Sequence, residues 1–282
     1  MSKEKFNEPW FEFAKTWKKT YPPARPSQKN ILDYEKFLKE AVKSKKKEIK
    51  ILLLGSTPEL RDLFAKYKNI EVTLVDVNMD MILAMTELME KKARNEIWIK
   101  SSWLTVPVSH NYYDAVFGDY VTGNLPRKKL ASLFEKIETI LKPGGYFITR
   151  FFSYLAPGKV FDFDRFILKM SKKKITDRLI NNLWCIGVFC FGGANKNGDK
   201  IVGTGRFFQG MKKLALKDKK VSELYQAALK IIPEHKYWSY GHAWADDKKL
   251  IEKHFVIEKS AMDDYFPIYK YFSRIYKLKA KT

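Results

Sequence analysis

The ten residues 141–150, with the sequence LKPGGYFITR, constrain the fold more than any other stretch of this 282-residue chain. Pro143 cannot continue a helix, and the two glycines after it can adopt the positive φ that a sharp reversal needs. The stretch therefore predicts a helix end, a tight turn and a buried strand. Upstream, an apolar run at 49–54 is closed by Gly55 and has the composition of a strand that is buried on both faces.

Strands and helices alternate between these two points. We expect strands at 49–54, 70–75, 96–100, 114–118 and 146–151, and helices at 58–68, 80–94 and 127–141. Alternation at these lengths is typical of a parallel sheet with helices packed on both faces.

Residues 1–45 form the first flanking segment. Trp10, Phe13 and Trp17 recur at helical spacing, the proline-rich elbow at 21–26 cannot be helical, and Ser27 can cap a second helix. We expect two helices that act as a lid.

The other flanking segments lie after the predicted core of residues 46–151. Residues 152–240 are expected to form a mainly helical insertion, with a mobile, glycine-rich turn at 192–205. Residues 241–282 resume the core pattern with a helix at 246–254 and strands at 255–259 and 268–274.

A strand closed by glycine, an acidic end to the second strand and the LKPGGYF finish, in that order, resemble the class I S-adenosylmethionine-dependent methyltransferases. The resemblance covers residues 46–151 and, more weakly, the C-terminal segment. It implies an α/β fold with a doubly wound, seven-stranded, mostly parallel sheet, an N-terminal helical lid and a helical insertion after the fifth strand. It also implies S-adenosylmethionine as the cofactor.

The first strand-to-helix turn, Gly55-Ser56-Thr57, would hold the methionine carboxylate of the cofactor on the free amides of the helix start. The family usually has three spaced glycines here and an acidic residue two positions before the first. This chain keeps only Gly55, with Thr57 and Glu59 at the later glycine positions and Leu53 at the acidic one. The loss of glycines argues against a dinucleotide, whose pyrophosphate requires a close approach of the backbone.

Asp76 ends the second strand, 21 residues after Gly55. A carboxylate at this position can accept hydrogen bonds from the two ribose hydroxyls, and the alternative is a turn or helix-capping aspartate. Val77 continues the family pattern, and Met81 would pack either on the adenine or in the core. After the third strand, Ser102 and Trp103 would contact the adenine, unless they form a surface turn with a core tryptophan.

The loop after the fourth strand is where the methyl group should meet its acceptor. Asp119 and Tyr120 are candidates for positioning the acceptor, and Asp119 is also a candidate cofactor ligand. Arg150 could hold a substrate carboxylate or phosphate, or form a salt bridge at the sheet edge. His242 is a candidate general base. The four histidines and two cysteines show no metal-ligand spacing, so no metal site is expected.

The net charge of +21 permits a nucleic-acid partner, but only nine of the 53 basic residues are arginine and the lysines are spread along the chain. Arginine performs most bidentate recognition of phosphates and bases, so we expect only weak, non-specific nucleic-acid binding. Cys185 and Cys190 lie in an apolar run and indicate a reducing compartment. No signal peptide or membrane-spanning run is visible, which predicts a cytoplasmic protein without a membrane partner.

The sequence therefore predicts transfer of a methyl group to an N, O or S atom of a small-molecule acceptor. Two alternatives stay open. The charge favours an RNA methyltransferase, and the reduced glycine motif favours a catalytically silent protein that binds the cofactor or serves as a scaffold.

Overall fold

The computed structural model describes residues 17, 20–43, 48–92, 95–154, 162–191, 193–196, 199–232, 237–262 and 273–281. The predicted apolar residues Trp10 and Phe13 lie outside these ranges.

Ten strands are described. In chain order they are β1 (Ile49–Leu54), β2 (Ile70–Asp76), β3 (Glu96–Lys100), β4 (Tyr113–Asp119), β5 (Leu141–Tyr154), β6 (Gly193–Lys196), β7 (Asp199–Gly203), β8 (Tyr237–Ala243), β9 (Phe255–Met262) and β10 (Ser273–Ala280).

The described helices are α1 (Gln28–Ala41), α2 (Pro58–Phe64), α3 (Met79–Thr86), α4 (Leu130–Ile140), α5 (Phe163–Ser171), α6 (Asp177–Phe191), α7 (Thr204–Ala215), α8 (Lys219–Leu229) and α9 (Trp244–His254). Two short 3₁₀ turns, Thr122–Asn124 and Arg127–Lys129, connect β4 to α4.

Seven strands form the central sheet in the order β3-β2-β1-β4-β5-β10-β9. Strand β10 is antiparallel to both of its neighbours, whereas β1 to β5 are all parallel. This confirms the predicted seven-stranded, mostly parallel sheet.

Buried side chains cover both faces of the sheet. Within β1, Leu52 and Leu54 belong to the cluster that includes α4 and α9, while Ile51 and Leu53 belong to the cluster that includes α1 and α2. A strand whose alternate residues enter two different cores is buried on both sides, as a central parallel strand must be. The packing confirms the doubly wound arrangement.

The N-terminal side of α1 matches the sequence interpretation closely. Ser27 accepts a hydrogen bond from the amide of Asn30 and the Asn30 side chain accepts one from the amide of Ser27, which forms a reciprocal cap. Tyr34, Phe37 and Leu38 of α1 are buried in the sheet core. Helix α1 therefore covers one face of the sheet.

The insertion is mainly helical, as the sequence predicts, but it also contains strands that the sequence does not indicate. Helices α5 to α8 enclose a hydrophobic cluster of their own, but β6, β7 and β8 also form an antiparallel ladder. That ladder joins the end of β5, where Ser153 and Tyr154 pair with His242 and Ala243 in parallel. The predicted turn at 192–205 contains the β6–β7 hairpin and the start of α7, because a glycine-rich segment can close a hairpin as well as a loop.

Two predicted ends are wrong. The last strand continues to Ala280 rather than ending at residue 274, and α3 ends at Thr86 rather than at residue 94. The start predicted for the last strand, at residue 268, lies outside the described residues. The sequence pattern alone does not fix where the hydrogen bonding of a helix or strand stops. The domain division at 240/241 stays a prediction, and β8 runs across that point.

Candidate active site

The turn after β1 is built around Gly55, whose φ of 93° is accessible mainly to glycine. The Gly55 amide donates to the carbonyl of Val75 at 2.9 Å, and the indole Nε1 of Trp103 donates to the same carbonyl at 2.8 Å. A Cβ placed on Gly55 would lie 3.8 Å from the Trp103 ring. Trp103 is thus packed beside this turn and against the first core cluster.

Ser56 and Thr57 continue the turn. The hydroxyl of Ser56 is buried and has no hydrogen-bond partner within the described ranges. Thr57 precedes α2 without a side-chain cap, and α2 has only seven residues. A buried hydroxyl without a partner costs free energy unless a ligand or water completes it, so Ser56 marks a place that a polar ligand group can fill.

Asp76 lies at the carboxyl end of β2, next to the Gly55 turn. Its Oδ1 accepts a hydrogen bond from the amide of Asn78 at 2.9 Å. Burial raises the pKa of Asp76 to about 6, while the amides of Asn78 and Val77 act in the opposite direction. Asp76 therefore makes the turn contact that is the alternative to ribose binding. Its carboxylate is nevertheless largely buried, and this raises its pKa.

The predicted adenine contacts lie around Asp76. The Val77 side chain is half-exposed and follows Asp76 directly. Met81 packs with Ala84 and Met85 of α3 and with Trp17. The Ser102 hydroxyl accepts a 3.3 Å hydrogen bond from the amide of Leu104.

Asp119 and Arg150 end neighbouring strands and form a buried bidentate ion pair. Nε and Nη2 of Arg150 each lie 2.7 Å from a different carboxylate oxygen of Asp119. The third nitrogen of the guanidinium donates to Oδ1 of Asn30 at 3.0 Å. Although burial opposes ionisation, Asp119 raises the pKa of Arg150, so the pair stays charged. This geometry corresponds to the salt bridge that we considered for Arg150 as the alternative to a substrate contact.

Tyr34 completes this network from α1. Its hydroxyl lies within hydrogen-bond distance of the Gly118 carbonyl and of Oδ1 of Asp119, at 3.0 and 3.1 Å. Burial, reinforced by Asp119, raises the pKa of Tyr34 well above its ordinary value, so the hydroxyl remains a proton donor. The Asp119 carboxylate is thereby held from two sides.

Tyr120 has a φ of 53°, which is rare for a residue with a bulky side chain. Its amide donates to the Arg150 carbonyl at 3.1 Å, its ring lies 4.0 Å from the Arg150 guanidinium, and its hydroxyl is 3.2 Å from Oγ of Ser273. Strained backbone of this kind persists only where the surroundings impose it. The strain lies where the acceptor is expected.

His242 belongs to β8, and its backbone pairs with Ser153 of β5. This pairing puts the His242 position at the carboxyl end of β5. Its role as a base stays a prediction.

Sequence reasoning missed several contacts of this region. The sequence predicts only a helix after Ser27 and gives no sign that Tyr34 and Asn30 reach Asp119 and Arg150, or that Trp17 and Arg25 contact Glu59. Their partners are far away in the sequence, so no local spacing could indicate them.

Residues 54–145 match a family model described as a methyltransferase domain. The matched segment runs from the end of β1 to the turn within β5, and the order of the seven strands agrees with it. Residues 54–145 therefore form a methyltransferase domain, and the strand order is that of the class I fold. A domain of this kind implies S-adenosylmethionine as the cofactor.

Three solved structures illustrate the fold. The PH0226 protein of Pyrococcus horikoshii OT3 is 14% identical with a TM-score of 0.53, and the alignment covers 96% of this chain and 99% of that one. A Rhodobacter sphaeroides protein described as a proposed Zn-dependent alcohol dehydrogenase is 12% identical, with a TM-score of 0.55 and coverages of 96% and 97%. The N-methyltransferase NodS of Bradyrhizobium japonicum WM9, in complex with S-adenosyl-L-homocysteine, is 8% identical, with a TM-score of 0.51 and coverages of 98% and 100%.

At these identities the three likenesses concern the fold alone. No match to a curated protein is found. Among the described residues, no group of three His, Cys, Asp or Glu side chains could hold a metal ion. Within the same ranges, no helix has the length and apolar character needed to cross a bilayer.

The residues present fit the cofactor. Asp76 offers a desolvated carboxylate that hydroxyl groups can satisfy, and Ser56 offers a buried hydroxyl without a partner. Both flank the glycine turn that lets the backbone pass close to a ligand.

Proposed function

We propose that the chain methylates an N, O or S atom of a small molecule that binds at the carboxyl ends of β4 and β5. The observation that supports a small acceptor is the pairing of β8 with the end of β5, which attaches the insertion to this edge of the sheet. An edge that is covered in this way suits a ligand that can be enclosed. Enclosure also excludes water from the transfer.

In this proposal the cofactor site is formed by the first three strand ends. Asp76 accepts hydrogen bonds from the ribose hydroxyls, while Val77 and Met81 provide apolar contacts for the adenine. Gly55, Ser56 and Thr57 approach the methionyl end of the cofactor. Ser102 and Trp103 border the adenine side, and Asp119 borders the site from β4.

The acceptor side depends mainly on alignment, because methyl transfer between positioned groups needs little other chemistry. We assign Tyr120 to the positioning of the acceptor, since its strained backbone aims it from the end of β4. We assign Arg150 to the positioning of Asp119 rather than to a substrate anion, because its three nitrogens donate to Asp119 and Asn30. His242 is retained as a candidate base for acceptors that must lose a proton.

The test is transfer of labelled methyl groups from S-adenosylmethionine to fractionated cell material that contains small molecules, RNA or protein. We expect label in the small-molecule fraction, loss of transfer in Asp76→Ala, and at least a tenfold lower kcat/KM in Tyr120→Phe, as about 1.4 kcal/mol of lost positioning would give. Label confined to RNA would contradict a small acceptor. Cofactor binding without transfer to any fraction would instead favour the silent protein.

The second candidate, an RNA acceptor, is favoured by one observation, the net charge of +21. It predicts that transfer to RNA persists at physiological salt.

A cytoplasmic location is part of the proposal. Cys185 is a free, buried thiol, which agrees with a reducing compartment.

A further inference from the structure

Glu59 stands where the family usually has its last glycine, in the first turn of α2. Its side chain is only 14% exposed. Oε1 of Glu59 accepts a hydrogen bond from the indole Nε1 of Trp17 at 3.3 Å and lies 2.5 Å from Nη2 of Arg25. These two contacts fix the carboxylate, because both partners hold the same oxygen.

The other oxygen, Oε2, is buried and has no hydrogen-bond partner in the described part of the chain. Burial raises the pKa of Glu59, and Arg25 opposes this only in part. A shielded carboxylate oxygen without a donor is costly, so its retention needs an explanation.

One group of the cofactor has no evident partner among the residues that the structure describes around the turn. The methionyl end carries a cationic α-ammonium, and the position where the family has an acidic residue is Leu53, which is fully buried in the core. Asp119 cannot easily replace it, because both of its oxygens accept hydrogen bonds from Arg150. Asp76 ends the neighbouring strand, where the ribose is expected.

Glu59 and Ser56 lie in the same turn, three residues apart, and each has a buried oxygen without a partner in the described ranges. Asp119, at the end of β4, also contributes to the electrostatic environment of Glu59. A carboxylate acceptor and a hydroxyl donor in one turn are the groups that complement the ammonium and the carboxylate of an α-amino acid.

We propose that Oε2 of Glu59 accepts a hydrogen bond from the α-ammonium of the cofactor and so replaces the acidic residue that is missing at Leu53. The inference rests on the assignment of the cofactor. Because Trp17 and Arg25 hold the other oxygen, the same carboxylate connects the N-terminal segment to the methionyl end of the ligand.

The test is calorimetric binding of two ligands to wild-type protein and to Glu59→Gln, which keeps the shape and the acceptor for Trp17. The ligands are S-adenosylhomocysteine and its analogue in which hydrogen replaces the α-amino group. In the wild type, we expect the analogue to bind roughly 10- to 100-fold more weakly, as loss of a charge-assisted hydrogen bond predicts. In Glu59→Gln, the two ligands should bind within about threefold of each other.

Equal penalties for the analogue in wild type and variant would overturn the proposal, as would equal affinity of the two ligands for the wild type. Arg25→Gln is the control for an indirect effect through the N-terminal segment, and it should retain the discrimination between the ligands. If Glu59→Gln does not fold, Glu59→Asp, which withdraws the carboxylate by one methylene, should show a reduced discrimination. Wild-type protein that binds neither ligand would refute the cofactor assignment instead.

Discussion

Asp76 combines burial with the position at which a nucleotide sugar is expected, and its effect on binding can be measured directly. Asp76→Ala should weaken binding of S-adenosylhomocysteine by about 1.5–3 kcal/mol, because two hydrogen bonds to a charged group are lost. The affinities are measured by calorimetry. Asp80→Ala, which changes an exposed aspartate in the first turn of α3, is the control. Equal affinities of Asp76→Ala and wild type would remove Asp76 from the site.

The pKa of Asp76 adds a pH dependence to the same site. In the free protein the pKa is raised to about 6, so the carboxyl group is protonated below that pH. Ribose hydroxyls donate to the ionised form, so binding lowers the pKa and releases a proton. Affinity should be complete above about pH 7 and fall as the pH drops through 6, by up to about tenfold per pH unit. Asp76→Ala should bind with little change over this range.

The ion pair between Asp119 and Arg150 has a different energetic role. Arg150→Leu leaves the Asp119 carboxylate buried and unpaired, which should lower the free energy of unfolding by about 3–5 kcal/mol. The double variant Arg150→Leu/Asp119→Leu should lose clearly less, because no uncompensated charge remains. Urea unfolding of the two variants tests this, and a double variant that loses as much stability as Arg150→Leu, or more, would contradict the argument.

At the residue scale the sequence indicated where the polar side chains stand but not how they pair. Asp76, Asp119 and Arg150 follow strands and could be named as candidates from position alone. The partners of Arg150 could not, because Asn30 lies 120 residues away on a helix whose pattern shows only its apolar face. Such contacts depend on the packing of α1 against the sheet, which no local pattern encodes.

Among the elements, β4 illustrates how tightly the strand ends are packed. A Cβ on Gly118 would lie 2.1 Å from a methyl carbon of Val121 and 3.5 Å from Leu54. Gly118→Ala should therefore destabilise the protein by about 1–3 kcal/mol, since the stiff valine side chain has to move.

Gly205 in α7 provides the matched control. A Cβ there would meet nothing within 4 Å, so Gly205→Ala should be neutral or stabilising by up to about 1 kcal/mol. Thermal unfolding of the two variants decides the question, and similar melting temperatures would contradict the packing argument.

Elements buried on both faces were predictable, and elements at an edge were not. The bounds of β1 agree with the sequence because its apolar run coincides with its burial. Strands β6 and β7 were not predicted, because Gly193, Asn195 and Gly203 are residues typical of turns. These two strands are stabilised by pairing with each other, which the sequence pattern does not show. Helix α7 begins directly after this segment, so its start was hidden as well.

For the whole molecule, the charge of +21 raises the question of nucleic acid. Lysine-dominated binding rests on counterion release and should be weak at physiological salt, with Kd in the range of about 10⁻⁴–10⁻⁶ M. Fluorescence anisotropy with RNAs of different sequence should give equal affinities that fall steeply as salt increases. Tight, sequence-dependent binding at physiological salt would favour the RNA acceptor.

The N-terminal segment connects the separate parts of the molecule. Trp17 and Arg25 contact Glu59 beside the cofactor turn, while the carbonyl of Tyr21 accepts a hydrogen bond from Nδ2 of Asn181 in α6 at 2.9 Å. This segment therefore touches both the cofactor turn and the insertion. Helix α1, in contrast, is already buried against the sheet, so the predicted lid now concerns the residues before α1.

Hydrogen exchange with and without S-adenosylhomocysteine tests whether this segment closes on the ligand. We expect added protection at residues 20–26 as well as at the Gly55 turn, little change in α1, and no change in the deep strands, because α1 and those strands are already buried in the sheet core. Asn181→Ala should reduce that protection while leaving the protection of the Gly55 turn intact. Protection confined to the Gly55 turn and the region of Asp76 in the wild type would mean that the segment is structural and that closure does not accompany binding.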